Sequence, residues 1–182
     1  GFVRIESLHS AVPFYAASRL LCHRFGIGAD DAPETAEERI RTTVSFVYTQ
    51  SGTQELAEAL SAEIDELVSL LLSMPGVGGA RMASQQHTVA YTLRLFRAIG
   101  DFFERLSELA PVVTVLRGVD NLDRLSRDLF QYLSFRLEDR PVFMLGFAQS
   151  GDVPLTFQRI LPLKPLTSQA VRQEIAVLLR GP

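Results

Sequence analysis

The chain has 182 residues, 47% of them apolar and 21% charged, with a formal net charge of −3; this allows one domain with a sizeable core and excludes an intrinsically disordered chain. It contains no uncharged apolar run of roughly 18 residues and no signal-peptide pattern at its N-terminus, so no membrane partner is expected. Cys22 is the single cysteine and the basic residues are scattered, which points to the cytoplasm and gives no field that would hold a nucleic acid.

In chain order, Phe2 to Glu6 alternate apolar and polar and predict a short strand, after which Pro13 opens a helix that runs to about Phe25 and is stopped by Gly26 and Gly28. Thr35 and Glu38 have the spacing of a capping box and lead into a helix carrying Ile40, Val44 and Val47. Gln54 to Ser73 predicts a third helix, because Leu56, Leu60, Ile64, Leu67 and Leu71 fall on one face. Met74 to Ser84, with Pro75, Gly76, Gly78 and Gly79, is the clearest loop. Gln85 to Leu109 then predicts the longest helix, with Phe96, Phe102 and Phe103 on its apolar stripe. Those rings are expected to face the core, and a partner-binding groove is the sharper alternative.

Beyond Pro111 the period changes. Val112 to Leu116 is a β-branched run without polar alternation, expected of a parallel strand buried on both faces. Leu125 to Leu137 predicts a helix, Pro141 to Ala148 a second buried strand, Phe157 to Leu163 a third, and Val171 to Leu179 a last helix. The class is therefore α/β with a mostly parallel sheet.

Several chemistries lack their residues. All basic residues but Lys164 are arginine, and Lys164 lies between Leu163 and Pro165. No phosphate-cradling loop of the G-x-x-x-x-G-K-(S/T) type is present, and no other side chain reaches phosphates as a flexible ammonium does. Cys22 and His23 point about 100° apart on a helix and have no further ligands nearby, and His9 and His87 are isolated. No metal site is expected. Gly76 to Gly79 follows a helix and lacks dinucleotide spacing, and no serine-nucleophile motif occurs. Arg124 and Arg127, beside Asp123 and Asp128, predict a surface ion-pair ladder.

The run APVVTVLRGVDNLDRLSRDLFQYLSFRLEDRPVFMLGFAQ, Ala110 to Gln149, resembles the Walker B to sensor 1 region of the AAA-like signal-transduction ATPases of the STAND type. In bacteria these are fused to kinases, nucleotide cyclases or DNA-binding output domains. Arg159 to Leu179 is similar to that family's last strand and following helix, and Val3 to Asp31 to the segment after its P-loop helix. The resemblance implies a three-layer αβα sandwich, P-loop-NTPase-like but missing the first strand and the P-loop, with residues 1–182 forming one degenerate domain. Residues 1–110 would supply a strand and long helices, and 111–182 the Walker B-like and sensor-like strands and the C-terminal helix.

The departures fall where hydrolysis needs charge. The acidic pair that holds Mg²⁺ and polarises water in this family is matched here by Arg117 and Gly118, and a guanidinium there would disfavour a cation. Gln149 stands at the family's γ-phosphate-side position. Asp120 and Asp123 remain in the turn; Asp123 is expected to cap the next helix and Asp120 to be a solvated turn carboxylate, with Asp120 or Asp123 as the Mg²⁺ ligand under the ATPase alternative. The resemblance thus implies a non-catalytic regulatory or protein-interaction domain that docks a protein partner or a second copy, with no cofactor. The alternative is a fragment of an active ATPase whose P-loop lies upstream, with ATP and Mg²⁺ as cofactors.

Overall fold

The computed structural model describes residues 2–4, 11–51, 57–77, 88–149, 153 and 155–180. Strand β1 (Phe2–Arg4) is followed by helices α1 (Tyr15–Phe25), α2 (Pro33–Gln50), α3 (Ala57–Leu72) and α4 (Val89–Leu109). Strand β2 (Val112–Arg117), a 3₁₀ turn (Val119–Asn121), helix α5 (Arg124–Arg136), strand β3 (Val142–Phe147) and helix α6 (Ser168–Arg180) complete the order. The expected strand residues 5 and 6, helix residues 54–56 and 85–87, and loop residues 78–84 lie outside the described residues.

Local chemistry sets most boundaries. Gly26 takes a left-handed φ of 69° and its N–H bonds back into α1, as the stop signal predicts. Helix α2 begins earlier than the Thr35–Glu38 spacing suggests, because Pro33 occupies the first helical position with its φ already helical. Thr88 caps α4, its hydroxyl accepting from Tyr91 N at 3.2 Å.

The three strands are parallel and lie in the order β1, β2, β3, with Phe2 opposite Val115, Val112 opposite Val142 and Arg117 opposite Phe147. Helices α1 to α4 fill the connection from β1 to β2, and α5 that from β2 to β3. One core joins them. Its centre is the apolar stripe of α4, where Leu95, Phe96, Ile99, Phe102, Phe103 and Leu106 are buried, each whole side chain contributing about 1.5–3 kcal/mol. Phe96 stacks edge-on to Phe14 at 6.2 Å, and Phe102 meets Phe25 at 5.5 Å. From the sheet, Thr114 and Leu116 are buried, and Val112, Val142 and Met144 pack against the same cluster.

Helices α4 and α5 are held close by charge and by a missing side chain. Arg136 pairs with Asp101 and with Glu104 at 3.2 Å, and Arg140 pairs with Glu104 and with Glu108 at 3.4 Å. A Cβ on Gly100 would meet Arg136 Cδ at 2.8 Å, so the glycine lets this arginine cross the helix.

Two expectations about the sheet are corrected. The strands β2 and β3 are not buried on both faces: Val113, Phe143 and Phe147 are exposed, Phe143 at 60%. Among the described residues the helices cover one side of β2 and β3, giving two layers there. A β-branched run without alternation fits either environment, since apolar residues on a face do not by themselves bring a layer to cover it. Phe157 to Leu163 is not a strand. Its first residue, Phe157, packs on the core beside Leu155, but from Gln158 onward the segment is exposed and pairs with no strand, and Pro162 lacks the N–H a ladder needs.

Candidate functional site

The residues singled out by sequence gather at the carboxyl ends of β2 and β3 and in the turn that follows β2. Arg117 closes β2, shares its outward face with Val113 and Val115, and is exposed opposite Phe147. It makes no ion pair among the described residues. Gly118 follows with φ 81°, a left-handed conformation that disfavours any side chain, and its N–H donates to Phe147 O at 2.8 Å. This bond ties the turn to the end of β3. An acidic residue at 118 would therefore have to adopt a strained backbone to keep the turn. Gln149, two residues past β3, is exposed.

Asp120 and Asp123 have different surroundings. The Asp120 Oδ1 is buried without a hydrogen-bond partner in the 3₁₀ turn. The Asp123 carboxylate is 3% exposed and accepts from three backbone donors. Its Oδ1 accepts from Ser126 N at 2.9 Å, capping α5, and from Phe14 N at 2.8 Å; its Oδ2 accepts from Ala16 N at 3.4 Å. Ser126 is fully buried, and its hydroxyl accepts from Ala17 N at 3.0 Å.

Asp123 and Ser126 thus satisfy the free N–H groups at the start of α1 as well as of α5. This explains why α1 begins at Tyr15 with no side-chain cap of its own. Phe14, the residue before it, sits at a left-handed φ of 59° with its ring fully buried. Such a conformation costs about 1–3 kcal/mol, offset by the ring's burial and the hydrogen bond to Asp123. With three backbone N–H groups on its oxygens and 3% exposure, Asp123 is engaged as a buried structural cap.

The other candidates are also placed. Phe96, Phe102 and Phe103 are core residues, at most 8% exposed, so they offer no groove to a partner; the three-to-four spacing of an apolar stripe is the same for a core face and for a docking face. Arg124 and Arg127 meet Asp128 at 3.8 and 3.7 Å, while Asp123 takes no part in that ladder because the caps bury it. Burial pushes the Cys22 thiol up, against a smaller opposite effect of Arg19, and its Sγ donates to Gly76 O. No group of three metal-ligating side chains occurs among the described residues.

The exposed sheet face was missed by sequence reasoning. It runs across Arg117, Phe143, Leu145 and Phe147 on the side away from the helices, and the alternation of exposure along β3 becomes visible only once the helices are placed. None of the described helices is long and apolar enough to cross a membrane. No family model, curated protein or solved structure matches this chain.

Proposed function

We propose that this chain is a non-catalytic regulatory and protein-docking module of a cytoplasmic bacterial signalling protein, derived from a STAND-type ATPase whose nucleotide site has decayed. One observation carries the reading: the sheet end where such a site would hold phosphate and Mg²⁺ has an outward-facing Arg117, a left-handed Gly118 and an Asp123 whose oxygens are taken by helix caps. An oxygen-ligated Mg²⁺ needs carboxylates free to reach it, and triphosphate needs a lysine or a glycine-rich nest. The exposed apolar face of β2 and β3 supports docking as the remaining activity. In the finer form of this reading the domain is a three-layer P-loop-like sandwich whose third layer is supplied by what docks.

A second reading, that these residues belong to a working ATPase with its P-loop upstream, is favoured by the buried, unpartnered Oδ1 of Asp120. Calorimetric titration of ATP with Mg²⁺ into the chain, and into a polypeptide extended upstream of Gly1, separates the two. No metal-dependent heat is expected. Sub-millimolar, Mg²⁺-dependent binding that Asp120→Ala abolishes would overturn the docking reading in favour of the second.

A further inference from the structure

Building on the docking reading, we infer that the exposed sheet face is covered by the C-terminal tail of a second copy of this chain, the two copies exchanging tails across a two-fold axis. Two of the apolar surfaces that face solvent among the described residues lie in the C-terminal part of the chain. One is the outward side of β3, with Phe143, Leu145 and Phe147. The other is the tail, where Ile160, Leu161, Leu163 and Leu166 are exposed, Leu163 at 85%, and Val171 and Ile175 of α6 remain 40% and 49% exposed. Their lengths match: the 13 residues of α6 and the 6 of β3 both span about 20 Å.

The root of the tail decides between the same copy and another. Leu155 is buried in the core, Thr156 N donates to Gln131 Oε1 of α5 at 2.8 Å, and the Phe157 ring lies where a Cβ on Gly146 would point, 2.6 Å away. Gly146 pairs with the buried Leu116 and faces inward with Met144. The tail therefore leaves the domain on the helix-covered side. Within one copy it does not cover that copy's own face: Phe143 and Phe147 on β3 and Ile160, Leu161, Leu163 and Leu166 on the tail all remain exposed.

Area supports the same occupant. One face presents only roughly 300 Å² of apolar surface, counting a whole aromatic side chain at about 200 Å²; with each copy contributing a face and the matching stretch of a tail, exchange buries roughly 600 Å² per copy, the lower end for a specific interface of about 1,200 Å² in total. Reciprocal exchange uses both surfaces of both copies and closes at two, so it leaves no face to seed a filament. A net charge of −3 sets only weak repulsion between copies.

The test is sedimentation velocity with light scattering on the whole chain at tens of micromolar, comparing wild type, Phe143→Glu and Ile175→Glu. Both positions are exposed, and far-UV circular dichroism checks that each variant is folded. Wild type is expected to be a dimer and each variant a monomer. An equimolar mixture of the variants keeps one intact face and tail pair and is expected to associate above either variant alone. A monomeric wild type, a dimer that survives either substitution, or a mixture no better than its components would overturn the exchange. The ATP titration is indifferent to all three results, so the proposed function stands or falls separately.

Discussion

Asp123→Ala tests whether this carboxylate is structural. The substitution removes two well-formed acceptor contacts, to Ser126 N and Phe14 N, and a weaker one to Ala16 N. A hydrogen bond to a charged group contributes about 1.5–3 kcal/mol, and a buried donor left unsatisfied costs about 1–3 kcal/mol; with partial relaxation the expected loss is about 3–5 kcal/mol. Domains this size have about 5–15 kcal/mol to lose, and the midpoint of thermal unfolding should fall by roughly 6–20 °C. Urea unfolding followed by circular dichroism gives the free energy directly. Asp123→Asn retains one acceptor oxygen and should recover about half of the loss. A change below about 0.5 kcal/mol for Asp123→Ala, the range of an ordinary surface substitution, would refute the dual-cap account and return Asp123 to the pool of possible metal ligands.

The remaining predictions concern charge and access. Hydrogen bonds from Arg140 first and Arg136 second, against a smaller cost of burial, hold the Glu104 carboxyl below its ordinary value of 4.5. Its contribution is therefore fully present above that pH and is lost as pH falls through the lower folded value. Arg140→Ala should flatten the acid limb of the stability curve below about pH 4.5, and an unchanged limb would count against the α4–α5 ladder. Cys22, 5% exposed with its thiol raised by burial, should react with an aromatic disulfide reagent at pH 8 only at the rate of unfolding; fast stoichiometric labelling of folded protein would contradict its placement.

Much of the fold was legible because its signals are local. The α4 stripe repeats every three to four residues, so helix and core face were both readable from Leu95 to Leu106. The strands β2 and β3 announced themselves through Val112 to Leu116 and Val142 to Leu145, yet whether their second side is covered depends on where distant helices land. The segment from Phe157 has strand-like residues, but a strand exists only if a neighbour pairs with it, and nothing in those residues names one. At the candidate site, the cap on α5 followed from Asp123 standing just before a helix. Its second role, at the start of α1, joins groups 109 residues apart and leaves no local pattern.

That shared carboxylate also imposes an order on synthesis. A chain growing from its amino end at about 5–20 residues per second exposes the opening turn of α1 to water for roughly 5–20 s before residue 123 exists to receive its N–H groups. Over that interval Phe14 has no fixed acceptor to hold its left-handed turn, and the opening turn of α1 frays. Helix α1 is thus completed by α5.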